Sequence, residues 1–229
     1  MASLSDHRPA RRHPRPRAAA SAVAALVLAA CVLAACGSDA PTASDDPGAS
    51  GTIEGIVRDE PLEVGDLTLP QVTADGADTT PFTFRATEGE LLLAAFGYTN
   101  CPDVCPTTLY DFKKAKTTLG DDGDQISVAF TTVDPERDTA EVVTQYLGSF
   151  VTDGHPLRTE DPAELDAVEQ AFGITSEVRK NDDGSTDVAH TARSFVIDDQ
   201  GDVVVEWSFG TDADVMANDL KLLLKQTEA

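Results

Sequence analysis

The chain has 229 residues and carries 17 Lys and Arg against 40 Asp and Glu, a net charge of −23. Such an excess of acid argues against nucleic acid as a partner and against a basic patch for anionic lipid. The length suits one ordinary domain plus additional segments.

The start of the chain does not read as part of that domain. Residues 8–17 hold five arginines, and the apolar run AAASAVAALVLAACVLAAC follows, ending at Cys36. A basic start, a short apolar core and small residues at the end describe an export signal. The run is close to the length that spans a bilayer, so an uncleaved anchor is the rival reading. LAAC at 33–36 resembles the bacterial lipobox, which implies cleavage before Cys36 and lipidation of its sulfur. LAAC also occurs at 28–31, but there the apolar run continues. Residues 1–35 are therefore read as a lipoprotein signal peptide. Residues 36–51, rich in Ala, Ser, Gly, Pro and Asp, are read as a flexible tether. The expected location is the outer face of the bacterial cytoplasmic membrane. Without residues 1–35 the chain keeps 12 basic and 39 acidic residues, a net charge of −27.

The remaining elements follow in order from 52 to 229. TIEGIVR (52–58), LTLPQVT (67–73) and FTF (82–84) read as short strands. LLLAAFGY (91–98) and ISVAFTTV (126–133) are continuously apolar, as strands buried on both faces should be. Helices are predicted over 106–119, 139–150, 161–173 and 212–226. Asp138 with Glu141 reads as a capping box for the second. In the third, Asp161 caps, Pro162 opens the helix and Gly173 closes it. SFVID and DVVVEW (194–198 and 202–207) flank DQG and read as a hairpin. This order predicts an α/β sandwich around a central mixed sheet.

Past the leader only Cys101 and Cys105 remain as thiols, in FGYTNCPDVCPTTL (96–109). They lie where the first buried strand meets its helix, the end at which such folds place ligands. A disulfide across so short a loop would constrain little of the unfolded chain. The helix dipole is expected to lower the thiol pKa and favour thiolate. Soft thiolates suit copper(I) and leave a coordination position open. A histidine could fill it, and only His155 and His190 are available. His155 sits in DGHP, read as an exposed turn, whereas His190 precedes the apolar strand of the hairpin and could reach the same sheet edge. A structural zinc site wants four ligands, and the count stops at three unless an Asp joins. A methionine copper site is excluded, because Met216 is the only methionine left. A Cys/His protease would need one nucleophile rather than two paired thiols. A disulfide oxidoreductase using Cys101 and Cys105 as a redox pair stays open.

Together FGYTNCPDVCPTTL, TTVDPERDTAE (131–141) and AHTARSFVIDDQG (189–201) closely resemble the Sco/SenC family, over roughly residues 65–228. The resemblance implies a thioredoxin-like three-layer sandwich with a central mixed sheet, an N-terminal strand extension and an inserted hairpin. It implies one copper, Cu(I) or Cu(II), bound by Cys101, Cys105 and His190. It implies a membrane-tethered metallochaperone that helps assemble the CuA site of cytochrome c oxidase, with the copper-site subunit as partner. Apart from the resemblance, a monomer is the default expectation. A thiol–disulfide reductase that keeps the acceptor cysteines reduced, or a copper buffer or sensor, are the alternatives. The family pattern also puts Asp134 near the site, although Asp134-Pro135 could simply end a strand. Two positions depart from the pattern: Asn100 stands where His is frequent, and Ala189 where Asp precedes the ligand histidine. Orientation of the His190 imidazole must then come from elsewhere.

Overall fold

The computed structural model describes residues 51–76 and 79–227. The predicted signal peptide, Cys36 and all of the tether but Gly51 lie outside the described residues. Among the described residues no helix is long and apolar enough to cross a membrane.

The centre is a pair of parallel strands, β4 (Leu91–Gly97) and β5 (Ile126–Thr132), joined by helix α1 (Val104–Leu119) and a 3-10 turn at Gly120–Gln125. Every residue of β4 is buried, because the strand is covered on both faces. Leu91, Leu93 and Ala95 face one core cluster, and Leu92, Ala94 and Phe96 face the other, the period-2 alternation of a strand. The first cluster contains Leu109 and Phe112 of α1, Val143 and Leu147 of α2 (Ala140–Gly148), and Met216, Leu220 and Leu223 of α4 (Ala213–Thr227). The second contains Val168 and Phe172 of α3 (Pro162–Phe172). There Phe172 packs within 5.1 Å, centroid to centroid, of Phe84, Phe96 and Phe195. These are the three layers of the expected sandwich.

The sheet is mixed. On one side of β4 lie β9 (Arg193–Ile197), β10 (Asp202–Ser208) and the two-residue β1 (Leu62–Glu63), each antiparallel to its neighbour. On the far side of β5 lie β6 (Gly154–Leu157), parallel to it, then β2 (Thr68–Val72) and β3 (Thr79–Thr83). The stretch 52–58 forms no strand beyond a single bridge between Ile56 and Glu206. Its role is instead to be gripped by Asp219, which is buried on α4. That carboxylate accepts from the amides of Glu54 and Gly55 and from the Trp207 indole, all within 2.9 Å.

Three further local expectations change. His155 is not in an exposed turn: it belongs to β6, is half-buried against Phe82, and its Nδ1 lies 3.0 Å from Gln71 Oε1. Pro156 follows it inside the strand because β6 carries only a short ladder to β2. Asp138 does not cap α2. Thr139 does, its hydroxyl accepting from the Val142 amide, while Asp138 is turned into the interior. Residues 176–190, where sequence reading places no strand, form a two-stranded sheet of β7 (Ser176–Lys180) and β8 (Thr186–His190). This hairpin is the insertion, and it ends on His190.

Candidate metal centre

Both cysteines sit at the point where β4 hands over to α1. The Val133 amide donates to the Gly97 carbonyl at 2.8 Å and ties the ends of β4 and β5 together. A tight turn follows, closed by the Cys101 amide on the Tyr98 carbonyl at 3.2 Å. Helix α1 then begins at Val104 with Pro106 in its first turn, where no backbone donor is needed. Asp103 makes no side-chain cap. The sulfur of Cys101 serves instead, lying 3.3 Å from the Cys105 amide, so it satisfies one donor that a helix start leaves free. Gly97 is required by closeness rather than by backbone freedom: a Cβ there would stand 2.5 Å from Cys105 Sγ.

His190 arrives from the hairpin, 85 residues later in the chain. Its Nε2 lies 3.5 Å from Cys105 Sγ. Its Nδ1 lies 3.1 Å from the Thr191 carbonyl, an acceptor only, so Nδ1 carries the proton and Nε2 presents a lone pair. The ligand atoms of Cys101, Cys105 and His190 all fall within 4.8 Å of one another. This is the only such three-residue group of His, Cys, Asp or Glu among the described residues. His155 is absent from it.

The two aspartates of DPERD do different jobs. Asp138 is fully buried and accepts three hydrogen bonds: from the Thr99 amide at 2.9 Å, the Thr99 hydroxyl at 2.5 Å and the Thr132 hydroxyl at 2.6 Å. It therefore anchors the turn that presents Cys101. Asp134, also buried, is ion-paired with Arg137. The Arg137 guanidinium lies 5.8 Å over the ring of Tyr98, and Tyr98 meets His190 edge-on at 6.1 Å. Asp134 is not among the grouped ligand atoms and connects to them through Arg137 and Tyr98. Sequence reading missed Asp138 in this role because a motif rich in acids offered a simpler use for it as a cap.

Burial sets the electrostatics. Cys105 is 3% exposed and Cys101 9%. Loss of solvent pushes the Cys105 thiol well above its usual range, and its contact with Cys101 adds to that. The helix dipole does not overcome desolvation here, contrary to the expectation of a lowered thiol pKa. Burial pushes His190 below its usual value, while the Thr191 carbonyl and the charge of Glu169 push back. The apo site is thus a protonated Cys105 thiol beside a neutral imidazole, both thiols free. A soft cation can replace the thiol protons, and the donor set S, S, N matches such an ion. Nearby, the buried hydroxyl of Tyr146 and Nη2 of Arg137 have no hydrogen-bond partner.

A thioredoxin-like sheet with two thiols at the head of its first crossover helix, and a histidine brought to them by an inserted hairpin, defines a thiol-based metal-binding domain. The SCO1/SenC family matches residues 71–225, most of the chain, and the chain belongs to that family. It is 35% identical over 121 residues to the human mitochondrial SCO1 homolog, covering 50% of this chain and 38% of that one. Among solved structures it resembles Bradyrhizobium japonicum ScoI with copper bound (32% identity, TM-score 0.57, 67% of this chain and 96% of that one). It also resembles apo Sco1 of Thermus thermophilus (28% identity, TM-score 0.60, 79% and 98%). The chain spans less than two thirds of the length of the curated relatives it matches.

Proposed function

We propose that this domain binds one copper ion through Cys101, Cys105 and His190 and hands it to another protein. The observation that carries this reading is the convergence of three soft or borderline donors from two separate elements within 4.8 Å. Family membership and the copper-bound ScoI relative support the choice of metal. With three ligands the copper keeps an open position, through which an acceptor's thiolate or imidazole can enter before the first bond breaks. In this reading the acceptor is the copper-site subunit of cytochrome c oxidase. The segment before residue 51, lipidated at Cys36, holds the domain on the outer face of the cytoplasmic membrane and raises encounter with a membrane-bound oxidase.

The rival use of the same thiols, reducing the acceptor's cysteines, asks for a ready thiolate. Burial of Cys105 and the nearness of His190 favour metal binding over that use. The experiment that separates the two is deletion of the gene with oxidase activity measured at limiting copper. Delivery predicts that activity falls and that added copper restores it. Restoration by an added thiol reductant, and not by copper, would overturn delivery in favour of reduction.

A further inference from the structure

His190 is the one member of the cluster that comes from outside the junction of β4 and α1, where Cys101 lies in the turn and Cys105 in the first turn of the helix. It terminates β8 in a separate two-stranded sheet, so its position depends on whatever fixes that hairpin to the body of the domain. The residue before it offers no help, because Ala189 is exposed and pairs with Glu177.

The fixing contact lies across the ladder. Ser176 is directly opposite His190 in register. Its amide and its hydroxyl both donate to the carboxylate of Glu169, at 3.2 and 2.6 Å. Glu169 is only 7% exposed, and it sits on α3 between Val168 and Phe172, which are packed into the second core cluster. One residue beyond, Thr175 and Thr191 brace the base of the hairpin. The Thr191 amide reaches the Thr175 carbonyl at 2.9 Å, and the Thr175 amide reaches the Thr191 hydroxyl at 3.1 Å. The Thr191 carbonyl in turn takes Nδ1 of His190. A continuous path therefore runs from the core through α3, Glu169 and Ser176 to the imidazole. Burying a carboxylate is costly unless hydrogen bonds compensate, and both oxygens of this one are committed to Ser176.

We infer that Glu169 is the positioning residue of His190: from α3 it clamps the ladder rung opposite the histidine and so holds Nε2 against Cys105. The work that an acidic residue at 189 could have done is done here by an acid 20 positions earlier on another element. The metal readout below rests on the copper reading, whereas the clamp itself does not.

The test compares Glu169→Ala with Glu169→Gln in the full chain. A glutamine can accept from the Ser176 amide and donate to its hydroxyl, so it keeps both contacts. Glu169→Ala is expected to weaken copper(II) binding by about tenfold or more, the usual range for loss of a ligand's support, and to shift the thiolate-to-copper absorption band. Glu169→Gln is expected to restore both. In the copper-free protein, nitrogen NMR of His190 should show one Nδ1–H tautomer in the wild type and in Glu169→Gln, and a tautomer average in Glu169→Ala. If Glu169→Ala does not fold, Ser176→Ala, which leaves α3 untouched, should weaken binding and mix the tautomers in the same sense. Wild-type affinity, band and tautomer in the alanine variant that folds would overturn the inference. A wild-type protein that binds no copper would sink the copper reading instead, and the tautomer result would still decide for or against Glu169.

Discussion

Asp138 accepts hydrogen bonds from both the amide and the hydroxyl of Thr99, 39 residues away in the chain and two before Cys101. The carboxylate thereby ties the loop after β5 to the turn that carries the first thiol. Arg158 secures Asp138 from behind, its Nε donating to the Asp138 carbonyl at 2.7 Å.

Removing that carboxylate leaves the donors of Thr99 and Thr132 without a partner in a dry site. Asp138→Ala is expected to destabilise the domain by about 3 kcal/mol, since bonds to a buried charged acceptor are worth roughly 1.5–3 kcal/mol and are not additive. Copper affinity should fall as well, because the Cys101 turn loses its anchor. Urea unfolding followed by a copper titration measures both. An unchanged unfolding midpoint would show that the network carries no stability.

Gly97 tests how closely the thiols are packed. Its missing Cβ leaves the space that Cys105 Sγ and the Phe130 ring occupy, with contacts of 2.5 and 3.2 Å expected from an added methyl. Gly97→Ala should cost about 1–3 kcal/mol, as overpacking of a core does. It should also displace the Cys105 sulfur and lower copper affinity relative to wild type. Equal affinity in the two proteins would mean that the sulfur has room to move.

Burial lowers the pKa of His155 below its ordinary 6.5, partly opposed by the charge of Asp153. The unfolded chain therefore takes up this proton at a higher pH than the folded one. The stability that neutral His155 contributes is complete above about pH 6.5 and is lost as pH falls toward its folded value. His190 shifts in the same direction but is common to both proteins. Because the variant lacks the His155 proton uptake, the wild type should lose more stability between pH 7.5 and 5.5 than His155→Gln, which retains a donor to Gln71. Unfolding midpoints at the two pH values give the comparison. Identical losses would assign the whole effect to other groups.

Much of this architecture is legible in the residues because it rests on local rules. LLLAAFG must be buried on both faces, and Asp161, Pro162 and Gly173 bracket α3 as written: Asp161 accepts from the Ala163 amide, and Gly173 closes the helix at φ 63. The two thiols and His190 are visible as a motif. What is illegible depends on partners distant in sequence. Asp138 and Thr139 can each cap a helix, and the choice falls to Thr139 because Thr99 and Thr132 capture its neighbour. The hairpin of β7 and β8 is too polar to announce itself, with Val178 and Val188 its only large apolar pair. Glu169 looks like one more charge on an acidic helix until Ser176 folds over it. The helix-dipole argument for Cys105 fails for the same reason: sequence shows that a helix begins there, but not how completely water is excluded.

The central claim, one copper held by Cys101, Cys105 and His190, is tested most directly by titrating copper(II) into the reduced wild type and into His190→Ala while following the thiolate-to-copper absorption band. The account predicts saturation at one equivalent in the wild type. In His190→Ala it predicts a shifted or absent band, with affinity lower by about tenfold or more, as expected when a ligand set is impaired. An unchanged band and affinity in His190→Ala would contradict the three-ligand site.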